Sequence, residues 1–394
     1  MLIAEKVVYG ILKFLILFLL LLYVYLVYEK LKEIVFENKR KKESSIINDL
    51  IDNLFAKLSN SENVSENVEK YILDLKKYSK TFSGREITAE RLIGYIELIK
   101  GDLRDALCGI CEELGFVDYE MANLQKKDVF RIALACKRLG EYRSEKALDS
   151  LLDRLKTDVY EVKYHALLAI SKIGNNEYFM KAFSKEYKVQ MLSERNLMEI
   201  VNSFEGDKAT VYKKMIGHED EYISSIFIRA AGNDRVLEVS EEVGRHLSSQ
   251  SFLKKIAAVK AVGQMGDFRF VDDLIKELSS SDWRIRAVAA KSLGEIGAQR
   301  AVTYLKEALK DAEWWVRYNA AFSIIKLGNY EDVLAEIFNG QDEFAKDAAF
   351  YALEAVGLIK EHASTTDLPL NNLPQLALKL RQYMEKKGLQ YGYN

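Results

Sequence analysis

The apolar positions of this chain fall into two patterns. From Val7 to Tyr28 the sequence reads VVYGILKFLILFLLLLYVYLVY, 22 residues with one charge, Lys13. As a helix this run reaches about 33 Å at ~1.5 Å per residue, enough to cross a hydrocarbon core of ~30 Å. Lys13 lies near its start, where a long side chain can reach the interface. After the run, apolar residues recur at helical spacing and alternate with charge. Residues 46–58, 68–78 and 88–99 predict three amphipathic helices, the first two separated by the polar break 59–66 (SNSENVSE). The only two prolines, Pro369 and Pro374, stand near the C-terminus, so nearly the whole chain is free to be helical.

Beyond residue 100 the helical pattern repeats, which is the strongest signal in the sequence. Residues 255–266 (KIAAVKAVGQMG), 286–297 (RAVAAKSLGEIG) and 317–328 (RYNAAFSIIKLG) align without gaps, with their last glycines at 266, 297 and 328, a constant step of 31. Looser copies end at Gly115 and Gly174, and glycines 140, 206, 232 and 357 close further candidates, which makes nine expected units. Each unit has a physical logic. Alanines 289, 290, 320 and 321 let neighbouring helices approach, and Leu293 and Ile324 fill the space between layers. The closing glycine takes a left-handed conformation and stops the helix. Val271, Leu274, Ile275 and Leu278 supply the apolar face of a partner helix. A helix pair of this size cannot bury its face alone, so the units must stack.

The run from Asp282 through Trp283, Arg284, Ile285, Arg286, Ala287, Val288, Ala289 and Ala290 to Leu293 and Gly294, with its next copy from Glu313 through Trp314, Trp315, Val316 and Arg317 to Ala321, resembles the HEAT repeat. The likeness is to the short bacterial and archaeal form also seen in phycobilin-lyase-type proteins, and it covers residues 101–360. It implies an α-solenoid of HEAT-type helix pairs, and with the apolar run and the amphipathic helices before it the expected chain is all-α, the solenoid being preceded by one transmembrane helix and a helical linker. It also implies that Arg286 and Arg317 pair with the acids one turn earlier, Asp282 and Glu313, as rungs of a structural ladder that includes Lys163 and Lys255. The expected domains are an anchor over 1–30, a linker over 31–100, the solenoid over 101–360, and a capping helix (373–386) with a tail over 361–394.

Charge sets the orientation of the anchor. Lys6 precedes the apolar run, whereas Lys30, Lys32, Lys39, Arg40, Lys41 and Lys42 follow it, which places the C-terminal side in the cytoplasm. Residues 29–32 (EKLK) offer no small-residue cleavage motif, so an uncleaved single-pass anchor in the cell membrane is expected rather than a signal peptide. Residues 101–368 carry 37 Lys and Arg against 44 Asp and Glu, which argues against a nucleic-acid partner.

Candidate chemistry changes the picture little. Cys108 and Cys111 form a C-x2-C pair, but no second pair or histidine cluster follows, and with Cys136 the three read as packing thiols. The four histidines, at 165, 218, 246 and 362, are scattered. No phosphate loop, nucleophile motif or metal spacing appears, so no catalytic, cofactor or metal residue is assigned and no small-molecule substrate is expected. Trp283 and Trp314 occupy the same repeat position, and Trp315 follows directly. Tryptophan is enriched at binding surfaces, so Trp315, Trp314 and Trp283 are the candidate partner-binding residues. Packing of the turn between repeats is the competing role. The expected function is a membrane-tethered scaffold that binds a protein partner. The resemblance adds cell-envelope or glycosyltransferase systems as a setting, and a lyase-like or chaperone enzyme with a site on the solenoid's inner face as the alternative.

Overall fold

The computed structural model describes residues 2–59, 65–328, 330–359 and 374–388. They are helical, with no strand among them. The chain divides into two compact units, Met1–Arg154 and Leu155–Asn394. Residues 60–64 of the expected polar break, residue 360 of the expected solenoid, and 361–373 and 389–394 of the expected C-terminal segment lie outside the described residues.

The first unit holds α1 (Leu2–Ser59), α2 (Ser65–Tyr78), α3 (Phe82–Leu98), α4 (Asp102–Glu113), α5 (Phe116–Leu124), α6 (Val129–Glu141) and α7 (Leu148–Arg154). The anchor run and the first amphipathic helix are therefore not separate elements. They are one helix of 58 residues, about 87 Å at ~1.5 Å per residue. No proline or glycine interrupts residues 29–45, which explains the continuity. Its two halves have different surroundings. From Phe14 to Phe36 its large apolar side chains are exposed, whereas Ile47, Ile51 and Leu54 are fully buried against α2 and α3. Asp52 fixes this packing by accepting from Arg91 Nη2 at 2.7 Å and Tyr95 Oη at 2.8 Å, and Phe55 stacks on Tyr95 at 4.3 Å. Farther along, Arg138 of α6 reaches Glu86 of α3 and Glu120 of α5, at 2.7 and 3.2 Å from Nη1. This buried three-charge knot ties three helices together.

The second unit holds α8 (Tyr160–Ile173), α9 (Asn176–Lys181), α10 (Glu194–Asn202), α11 (Lys208–Met215), α12 (Glu221–Asn233), α13 (Ser240–Gly244), α14 (Phe252–Met265), α15 (Val271–Glu277), α16 (Trp283–Ile296), α17 (Val302–Ala308), α18 (Trp314–Leu327), α19 (Glu331–Asn339), α20 (Glu343–Ala355) and α21 (Pro374–Lys387). From α11 to α20 the helices come in pairs. A short first helix packs on the longer second helix that follows it, and the second helices pack on one another in succession from α10 to α20. This is the solenoid-type repeat stacking that the sequence predicts. Ala289, Ala290, Ala320, Ala321 and Leu293 are fully buried in it. The layers are locked by a repeated hydrogen bond: Ser292 Oγ donates to the carbonyl of Val259, and Ser323 Oγ to that of Ala290, both at 2.8 Å. Next to each serine sits a glycine. A Cβ on Gly263 would lie 2.5 Å from Ser292 Cβ, and one on Gly294 would lie 2.6 Å from Ser323 Cβ.

Three expected unit ends are corrected. Glycines 115, 174, 266, 297, 328 and 357 do turn with positive φ after their helices. Gly140 and Gly232 instead lie inside α6 and α12. Gly232 belongs to the close-approach row with Gly263 and Gly294, since its Cβ would lie 2.6 Å from Ala261 Cα. The turns that close these helices fall at Arg143 (φ 49°) and Arg235 (φ 53°), each 31 residues before a closing glycine (174 and 266). Gly206 lies in the loop after α10, where its Cβ would meet the Gly174 carbonyl. The 31-residue register thus runs back through positions where arginine takes the conformation usually left to glycine.

At the far end α21 packs on α19, and Lys386 Nζ and Lys387 Nζ reach Glu343 and Asp347 of α20 at 2.9 and 2.8 Å. α21 covers Pro374–Lys387 among the described residues.

Candidate partner-binding surface

The aromatic residues of α18 and α20 form a ring cluster on the second unit's surface that the repeat does not fully bury. Trp314 is the first residue of α18. Its ring stacks on Tyr318 one turn later, with centroids 4.9 Å apart and planes 11° apart. Trp315 meets Trp314 edge-on at 4.8 Å, and Phe322 continues the line at 6.3 Å from Tyr318. From the next layer, Tyr351 of α20 comes within 6.3 Å of Trp314. Trp315 is 54% exposed and Tyr351 50% exposed, while Trp314 is half-buried between them. Phe344 of α20 is exposed and carries the Arg317 guanidinium over its ring at 5.3 Å.

The three tryptophans singled out by sequence therefore divide. Trp314 and Trp315 belong to one surface. Trp283 opens α16 and is exposed, but among the described residues no ring contact joins it to that cluster. In its layer the adjacent Arg284 lies over Phe252 of α14 at 4.0 Å. Tyr318, Phe322 and Tyr351 complete the surface and were not anticipated. Their signal was present: Tyr318 and Phe322 stand four and eight residues after Trp314, on one face of a helix.

A groove of 420 Å³ lies along the second helices α10 to α16. It is lined by Glu194, Met198, Arg229, Ile256, Lys260 and Val288 among others. An Arg229–Glu194 ion pair crosses it from α12 to α10. Polar walls with apolar side chains between them suit a peptide or a protein ridge more than one small apolar ligand.

The basic ladder is internal, as expected, but its partners differ. Arg286 forks onto Asp311 with Nε and Nη2 at 2.7 and 2.9 Å, and donates to the carbonyl of Ser280 at 2.9 Å. Arg317 donates to the carbonyls of Asp311 and Ala312 at 2.6 and 2.9 Å. Lys255 pairs with Glu277 at 2.9 Å, and buried Lys163 donates to the carbonyl of Tyr187. Each basic residue thus reaches an adjoining turn or helix end instead of the acid one turn earlier. Asp282 has other work: it caps α16 through the Arg284 amide at 2.9 Å and holds the Arg284 side chain. That guanidinium keeps the Asp282 carboxyl down at about 2.

Two of the three thiols are buried, and Cys108 is partly exposed. Cys111 and Cys136 are inaccessible, and burial pushes Cys136 up to about 12 and Cys111 well above the ordinary thiol value. Among the described residues no three His, Cys, Asp or Glu side chains gather as a metal ion would require. Among them too, α1 carries the one helical stretch long and apolar enough to cross a membrane, and that stretch is unburied.

Three solved structures are similar over most of their lengths. An engineered protein is 16% identical over 81% of this chain and 96% of its own, with a TM-score of 0.35. The phycocyanin lyase complex from Nostoc is 17% identical over 70% and 94%, at 0.24. Human deoxyhypusine hydroxylase in complex with glycerol is 14% identical over 72% and 98%, at 0.29. No curated protein matches the chain. Residues 271–354, which run from α15 through nearly all of α20 and hold every ring of the aromatic cluster, match the family model for HEAT repeats. That match and the stacked helix pairs together support a HEAT-repeat protein.

Proposed function

We propose that this chain is a membrane-tethered scaffold. On this reading the first half of α1 spans the cell membrane once, the basic residues after the span hold the rest of the chain in the cytoplasm, and the HEAT-repeat surface binds a protein partner. The observation that carries the binding role is the layered cluster of Trp314, Trp315, Tyr318, Phe322 and Tyr351. Contiguous exposed aromatic surface mark sites where another molecule excludes water, and Trp and Tyr dominate such sites. Supporting the tether, large apolar side chains from Phe14 to Tyr28 are exposed along a continuous helix. Tethering raises the effective concentration of the repeat surface near any partner in the same membrane.

The test compares proteins recovered with the full chain and with a Trp315→Ala/Tyr351→Ala variant from detergent-solubilised membranes. Both residues are about half exposed, so the variant is expected to keep its helical content and membrane fraction while losing a specific partner. Recovery of the same proteins at the same level by both chains would sink the assignment of this surface.

A further inference from the structure

The exposed stretch of α1 beyond the apolar run carries a feature that a lone membrane tether does not need. Leu31 is 57% exposed and Ile34 43%, both outside the 22-residue run. They continue a stripe that begins inside it. Val24, Val27, Leu31, Ile34 and Asn38 follow the three-four spacing of a heptad seam, with Val24, Leu31 and Asn38 at a and Val27 and Ile34 at d. At ~100° per residue, the centre of this stripe stands about 170° around the helix from the centre of Ile47, Ile51 and Leu54, which face α2 and α3. The first unit therefore cannot cover it.

We propose that the stripe pairs with the same stripe of a second copy of this chain, in parallel and in register. This rests on the reading of α1 as a membrane span, because two chains inserted the same way present their stripes side by side at the same height. One pair of charges fits that partner. In the heptad Glu37 falls at g and Lys42 at the following e, the spacing at which a parallel pair sets each glutamate beside the other copy's lysine. Lys30 and Lys32 pair with Glu33 and Glu29 on their own helix, at 2.7 and 3.5 Å, and so leave the seam apolar. Asn38 ends the seam at an a position, where a single asparagine fixes register and favours two strands. The pairing would place two repeat surfaces on one stalk and double the valency toward a membrane partner.

The experiment is cysteine cross-linking of the full-length chain in its membranes, in a Cys108→Ser background, with single cysteines at residues 31, 33, 34, 36 and 38. The expected result is oxidant-driven dimer at Leu31→Cys, Ile34→Cys and Asn38→Cys, at least fivefold above Glu33→Cys and Phe36→Cys. Glu37→Lys should weaken the cross-link at residue 34, and Glu37→Lys/Lys42→Glu should restore it. Equal cross-linking at all five positions overturns the proposal. So does no cross-linking with residues 31 and 34 shielded from a water-soluble maleimide, which assigns the stripe to lipid or to another protein. A chain recovered in the soluble fraction overturns the tether itself, and the parallel pairing with it. That outcome is distinct from a membrane-bound chain that fails to cross-link.

Discussion

Replacing Arg286 with methionine tests how the repeat layers are held. Arg286 and Asp311 are 16% and 12% exposed, and the fork between them joins α16 to the turn before α18. Removing one member of a fully buried pair costs about 3–5 kcal/mol, because the other charge is left desolvated. An exposed pair is worth only ~0.2–1 kcal/mol. Here the pair is mostly buried, and Asp311 keeps the Glu313 amide at 2.9 Å. The expected loss is therefore about 2–3 kcal/mol. Repeat arrays open locally, so hydrogen exchange of α16, α18 and the turn between them reads this loss directly. Exchange there should accelerate about 30- to 140-fold relative to wild type at the same pH, at ~1.4 kcal/mol per tenfold. The pH dependence follows from Asp311. Burial raises its carboxyl, but the Arg286 fork, the Glu313 amide and the charges of Arg286 and Arg317 outweigh that and hold it below the ordinary value. Its folded value is depressed, so it stabilises the fold above the ordinary carboxylate pKa of ~3.9 and that contribution is lost as pH falls through the folded value. Without Arg286 burial dominates and the carboxyl rises, so the defect should be largest near neutral pH and shrink toward pH 4. An acceleration below about threefold at pH 7, or a defect of equal size at both pH values, would refute this account of the layer.

Three further substitutions or labellings probe other links. Gly294→Val drives a side chain into Ser323, whose Cβ lies 2.6 Å from the position a Cβ would take, and should cost about 1–3 kcal/mol by thermal melting. Unchanged stability would mean the row of close approaches is slack. Arg235 is exposed at φ 53°, where a Cβ is strained, so Arg235→Gly should stabilise the second unit by about 0.5–1 kcal/mol despite glycine's entropy, read as a higher denaturant midpoint. Cys111 and Cys136, buried and held as thiols by their raised pKa values, should escape maleimide at pH 7.5 in the folded chain and react on unfolding, as mapped by peptide mass spectrometry. Rapid labelling of either in the native state would contradict the packing role.

Much of the fold was legible because the repeat writes the same physics several times. The alanine pairs, the leucine one turn on and the closing glycines at 266, 297 and 328 each mark a position whose geometry admits few alternatives. Other features were less legible. Where arginine takes over a closing turn, as at 143 and 235, a search for glycine misplaces the unit end, since the conformation is set by the stacked neighbours and not by the residue. Partner choice in the ladder also hid from the sequence. Arg286 is long enough to reach either Asp282 or Asp311, and only the packing of one layer on the next shows that it takes the latter. Of the candidate surface, Trp314 and Trp315 could be named from their repeat position, but Tyr351 joins them across a layer. The continuity of α1 follows from residues 29–45, where charged residues, unlike proline and glycine, do not break a helix.

The central claim is that the aromatic surface of the second unit meets a protein partner at the membrane. A photo-cross-linking amino acid placed at residue 315 or 322 of the full chain in native membranes tests it most directly, with residue 276 on the first-helix side as the control position. The expected result is a discrete adduct with the same membrane-associated protein from 315 and 322 and none from 276. Adducts that are absent, or equally abundant and heterogeneous at all three positions, would contradict the claim.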